Sequence, residues 1–142
     1  FLLGYKKTAH RPDELLKTLA WTTPVAGSAN LFYKLSRRRG DAITVVGVAV
    51  TVVIESGSCS KARIALGSVA PTVFRAKEAE NILIGGPLTA ATIDQAALTA
   101  AQASRPIDDI RASGDYRRHT VHMLVRRLLT QAWRTSGAKQ HD

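Results

Sequence analysis

The chain has almost no cysteine: Cys59 stands alone among 142 residues. A single thiol excludes an internal disulfide and any cysteine-rich metal or iron–sulfur site built from this chain alone, and it fits a reducing compartment, so a cytoplasmic location is expected. Long apolar runs are missing as well. The longest uncharged one, Ala42 to Ile54, falls well short of the roughly 20 residues that cross a bilayer. Phe1 to Gly4 is too short for the core of a secretory signal, so neither a leader nor a membrane span is expected. Acidic residues are scarce: 11 Asp and Glu stand against 20 Lys and Arg, for a net charge of +9. That balance permits attraction to nucleic acid or anionic surfaces, but it does not select a fold.

Catalytic signatures are missing too. No Gly-x-Ser-x-Gly nucleophile elbow occurs. The histidines are His10, His119, His122 and His141, and none is spaced with a second His plus Cys or carboxylate as a metal site requires. Gly85-Gly86 precedes Pro87 and lacks further spaced glycines, so it reads as a helix stop rather than a phosphate loop. Asp108 and Asp109 adjoin before Arg111 and read as an ion-paired loop rather than an acid–base pair. Chemistry performed by this chain alone is therefore not expected.

What is present is a patterned domain of ordinary size. Apolar residues make up 45% and charged residues 22%, a globular balance rather than a disordered one. Pro12 followed by Asp13 and Glu14 predicts a short helix from Pro12 to Lys17. Leu31 to Arg38 starts as a strand and ends as a basic loop. Ile43 to Ile54 is a valine-rich strand whose two faces are both apolar, so cover on both faces is expected, on the Gly47, Ala49 and Thr51 side from something beyond the chain's own side chains. Ser56-Gly57-Ser58 marks a turn of three to five residues into a second strand from Lys61 to Val69, making an antiparallel hairpin. Helical spacing then predicts Ala76–Leu83, Thr92–Ala103 and a last helix capped by Asp115 and reaching about Thr135, with Arg117 on the apolar face of Val121, Leu124 and Leu128. Strands first and helices second give an α+β domain: a small antiparallel sheet of three or four strands with three helices on one face.

Three stretches carry a family resemblance: Gly4-Tyr5-Lys6-Lys7-Thr8 through Leu16, Tyr33-Lys34-Leu35-Ser36-Arg37-Arg38-Arg39-Gly40-Asp41, and Ser113-Gly114-Asp115-Tyr116-Arg117-Arg118. Together they resemble the flavin-carrying subunit of the molybdenum hydroxylases, the family of xanthine dehydrogenase and aerobic carbon monoxide dehydrogenase. The resemblance runs from about Phe1 to Trp133. It implies a division into residues 1–28, a connector from an N-terminal FAD-binding domain that lies outside this sequence, residues 29–137, the C-terminal domain of the flavoprotein, and a tail, 138–142. It further implies that FAD is shared with that N-terminal domain. Molybdopterin and two [2Fe–2S] clusters would lie in partners, a molybdenum-binding large subunit and an iron–sulfur small subunit.

The resemblance also implies site residues. Lys34 occupies the place of a lysine that touches the flavin, and Leu16 aligns with a leucine that contacts the cofactor. No catalytic residue and no metal ligand is implied within this chain. From residue type alone, Leu16 fits core packing equally well. The basic cluster of Lys34, Arg37, Arg38 and Arg39 has two further readings, a solvated loop or a nucleic-acid site in which Phe32 and Tyr33 stack bases. A non-enzymatic basic nucleic-acid-binding module is thus the alternative function. Neither the substrate nor the electron acceptor is fixed by these residues.

Overall fold

The computed structural model describes residues 1–137, and the tail 138–142 lies outside the described residues. The chain opens with a two-stranded hairpin, β1 (Leu2–Gly4) and β2 (Lys7–Thr8). A four-stranded antiparallel sheet follows in the order β3 (Ala29–Ser36), β4 (Thr44–Glu55), β5 (Ser58–Gly67), β6 (Phe74–Arg75). Three helices complete the chain: α1 (Lys77–Leu83), α2 (Ala90–Ala103) and α3 (Gly114–Gly137). The architecture is the expected α+β arrangement, with the small hairpin added at its start.

Alternation along β4 builds the core. Val46, Val48, Val50 and Val52 are buried on one face, joined by Ala62, Ile64 and Leu66 of β5. Against them pack Ala79 and Leu83 of α1, Ile93, Ala96, Ala97 and Ala100 of α2, and Val121, Val125, Leu128 and Leu129 of α3. α1 lies over β5, α3 over β3 and β4, and α2 packs against both helices. The hairpin turn between β4 and β5 is tighter than the sequence suggests. It holds two residues, Ser56 at φ 50° and Gly57 at φ 80°, because β5 begins at Ser58. Positive φ at both central positions is the turn whose twist matches paired strands.

Each helix end has a local cause. α1 stops at Ile84, after which Gly85 takes φ 90° and donates its N–H to the Cys59 carbonyl at 2.9 Å, while Gly86 O accepts from Cys59 N at 2.9 Å. α2 starts on a reciprocal cap between Thr89 and Thr92. α3 is not capped by Asp115: Ser113 Oγ accepts from Tyr116 N at 3.2 Å and Asp108 Oδ1 accepts from Gly114 N at 2.6 Å, leaving Asp115 to pair with Arg118.

One expectation fails near the N-terminus. Residues Pro12 to Lys17 form no helix, only a turn in which Glu14 N donates to Arg11 O, with an extended run beyond it. Leu15, Leu16 and Leu19 are exposed there, so no buried face offsets the cost of starting a helix. On the second face of β4, Val45, Gly47 and Val53 are buried and Ala49 and Thr51 half-buried, with Trp21 to Val25 lying beside Thr51 and Val53. Farther along, Phe32 is 68% exposed.

Candidate functional site

The sheet face opposite the core is defined by register. Lys34 pairs with Gly47, and Gly47 with Gly67, so one row across three strands carries a lysine followed by two residues without side chains. The next row reads Phe32, Ala49, Ala65 and Arg75. A Cβ at Gly47 would sit 3.7 Å from Thr44 Cγ2, and one at Gly67 3.7 Å from Val73 Cγ2, both ordinary contacts. Neither glycine therefore relieves a clash. Their effect is a row free of large side chains beside the exposed Lys34, with Phe32 in the next row.

The basic loop after β3 folds back on itself at one end of this row. Ser36 Oγ donates to Arg38 O at 2.9 Å and an Arg38 terminal N–H donates to Asp41 O at 3.2 Å. Gly40 at φ 72° lets the chain reverse. Tyr33 to Ala42 line a cleft of about 460 Å³. Tyr33 itself points the other way, with the Arg127 guanidinium 5.3 Å from its ring centroid. Phe32 and Tyr33 thus lie on opposite faces of β3 and do not form one stacking platform, which the nucleic-acid alternative requires.

Leu16 is not brought to this row. It is 60% exposed on the extended run after the Arg11 turn, in a cleft of about 400 Å³ with Phe1, Ala9, His10, Glu14 and Leu15. Lys34 lines a different cleft. Among the described residues no group of three or more His, Cys, Asp or Glu is placed to hold a metal, and His122 Nε2 instead meets Asp94 Oδ1 at 3.2 Å. No helix among those residues is long and apolar enough to cross a membrane.

Sequence reasoning missed the role of Arg117. Its side chain, on the apolar face of α3, is only 3% exposed. One terminal nitrogen donates to Val45 O and Ser68 O, both at 2.9 Å, and the other to Asp109 Oδ1 at 2.8 Å. One arginine thereby ties the start of β4, the end of β5 and the loop before α3. The Arg111 amide, followed by the Arg117 guanidinium and the Ala112 amide, holds the Asp109 carboxyl below the ordinary aspartate range, against an opposing desolvation effect. The available signal was an arginine inside an apolar stripe, with two aspartates shortly before it.

The fold and this site define a small α+β domain with a lysine set beside a row of small residues on the sheet face opposite its core. The sequence profile of the family described as CO dehydrogenase flavoprotein C-terminal domain matches residues 31–132. The chain belongs to that family. It is 34% identical over 121 residues to the 6-hydroxypseudooxynicotine dehydrogenase complex subunit alpha of Paenarthrobacter nicotinovorans, covering 85% of this chain and 41% of that one. It is 33% identical over 125 residues to the carbon monoxide dehydrogenase medium chain of Afipia carboxidovorans, covering 88% and 43%. A solved carbon monoxide dehydrogenase from Hydrogenophaga pseudoflava, lacking the Mo-pyranopterin moiety of its molybdenum cofactor, superposes with a TM-score of 0.73 at 36% identity. That match spans 78% of this chain and 38% of the other. The chain thus spans less than half the length of these relatives. The profile match includes Lys34 and begins after Leu16.

Proposed function

We propose that this chain serves as the C-terminal part of the FAD subunit of a molybdenum-dependent hydroxylase or dehydrogenase. In this reading FAD is held jointly with an N-terminal FAD-binding domain. A large partner subunit holds molybdopterin and a small one the [2Fe–2S] clusters, and electrons pass from molybdenum through the clusters and FAD to an acceptor. The lone buried thiol of Cys59 accords with a cytoplasmic setting. The observation that carries the reading is the row Lys34, Gly47, Gly67: a positive charge beside two residues without side chains, inside the span matched by the family profile.

The residues fit the ring of FAD and not its diphosphate. A planar ring packs best where large side chains are missing, and Gly47, Gly67, Ala49 and Ala65 carry none. A diphosphate needs clustered N–H donors at turns or helix starts. Gly85-Gly86 follows α1, and the Gly85 N–H already donates to Cys59 O.

Bound FAD supplies the electron-transfer chemistry, while the protein supplies position and electrostatics. Lys34 places an ammonium where it favours the electron-rich form of the ring. Phe32 and the small residues of the second row shield that side from water. Leu16 adds an apolar contact if residues 14–20 close toward the ring when the N-terminal domain is present. The 142-residue chain alone should bind FAD weakly or not at all, since one ring edge offers too little contact to immobilise so flexible a ligand. Gel filtration with excess FAD tests this. Flavin should elute apart from the chain and co-elute once the N-terminal domain is supplied. Stoichiometric co-elution with the chain alone would contradict the division of labour.

A further inference from the structure

The loop between α2 and α3 ends in a four-residue turn, closed where Asp109 N donates to Ala112 O at 3.2 Å. Its bracing is heavy for a surface turn. The Asp109 carboxylate accepts from Arg111 N at 2.8 Å, from Ala112 N at 3.3 Å and from the buried Arg117 at 2.8 Å. From the opposite side an Arg37 terminal N–H donates to Ile110 O at 3.1 Å, so the turn is also pinned to the basic loop after β3.

What all of this holds at the tip is Ile110, 92% exposed. Its side chain belongs neither to the core nor to the hydrophobics packed against the core. Ile107, 71% exposed, and Ile43 line a cleft of about 410 Å³ beside the same turn, together with Arg105 and Arg111. Folding gains nothing from a β-branched residue at such a tip, where Gly, Asn, Asp or Ser serve better. Association gains a great deal. An apolar knob on a pre-ordered support loses little further freedom when it docks, and an apolar centre with arginines around it is the usual anatomy of a binding patch.

We infer that the Ile110 turn, with Ile43 and Ile107, is the docking surface for a partner subunit that presents an apolar socket edged with carboxylates. The charge around the knob selects that partner. Asp109 is already matched by Arg111 and Arg117, so Arg37 and Arg105 leave this end of the domain positive. Complementary acidic groups would steer and orient the encounter, while burial of the isoleucines would slow dissociation. The inference rests on the proposed function only in taking the partner to be another chain of the same complex.

The test uses the subunit in its full natural length, reassembled with its molybdenum-binding and iron–sulfur partners. Ile110→Asp should weaken association at least tenfold by analytical ultracentrifugation, and Ile107→Asp should weaken it in the same direction. Both variants should keep the FAD content and melting temperature of the isolated subunit, since the altered side chains project into solvent. Wild-type association by both variants would overturn the inference. So would loss of FAD or of thermal stability from the isolated Ile110→Asp subunit, which would mean that the subunit's own remaining chain covers the knob. A wild-type complex that assembles without FAD would overturn the flavin reading alone and leave the docking result standing.

Discussion

Arg117→Met should destabilise the domain by roughly 1–3 kcal/mol for the buried Val45 carbonyl it strands, and by a smaller amount for the carbonyl of the more exposed Ser68. Methionine keeps much of the stem's volume, so the loss reports the polar tie rather than a cavity. The melting temperature should fall on the order of 10 °C. Arg118→Met is the matched control. That neighbouring arginine pairs with the exposed Asp115, a surface contact worth about 0–1 kcal/mol. Thermal melts giving equal, small shifts for both variants would remove Arg117 from its place at the centre of the fold.

The same tie has a pH signature. The Asp109 carboxyl is held below its ordinary value in the folded state, so its contribution is complete above the unfolded carboxylate pKa of about 3.9. It is lost as pH falls through the lower native value. The stability gap between wild type and Asp109→Asn should therefore be flat at neutral pH and close only in acid. A gap that closes between neutrality and mildly acidic pH would assign the titration to another group.

Lys34→Ala should change the flavin more than the fold. Lys34 is exposed on the sheet face opposite the core and has no ion-pair partner among the described residues, so its loss leaves nothing buried unsatisfied. A charged group placed against the ring contributes roughly 1.5–3 kcal/mol, or about 30–60 mV for a two-electron couple. The midpoint potential should fall by that amount in the variant, and turnover with the natural acceptor should slow. Lys34→Arg, which keeps the charge, should restore most of the potential. A potential and turnover unchanged in Lys34→Ala would take Lys34 out of the flavin site.

The parts of this molecule that were legible in its sequence are those set by local pattern. The unbroken valines of β4, the turn at Gly57 and the stops at Gly85 and Pro106 place strands and helices without knowledge of tertiary contacts. Pro12 to Lys17 misled for the complementary reason. Its Pro-Asp-Glu start is a good helix signal, but Leu15 and Leu16 have no surface to pack on within the chain. Lys34 was singled out through the family resemblance alone, whereas the small-residue row beside it depends on strand register, which places Gly47 and Gly67 next to the lysine. Arg117 was legible as a core-facing position but not as a clamp, because Val45 and Ser68 are distant in sequence and meet it only in the folded state. Ile110 carried no sequence signal at all, since an isoleucine between Asp109 and Arg111 gains its meaning only from being braced and exposed.

The most direct test of the central reading is the cofactor content of the complex purified with its natural partners. Absorbance in the flavin bands and elemental analysis should give stoichiometric FAD for each copy of this chain, together with molybdenum and the iron of [2Fe–2S] clusters. A colourless, metal-free preparation, above all one that instead binds oligonucleotides with a steep salt dependence, would contradict it.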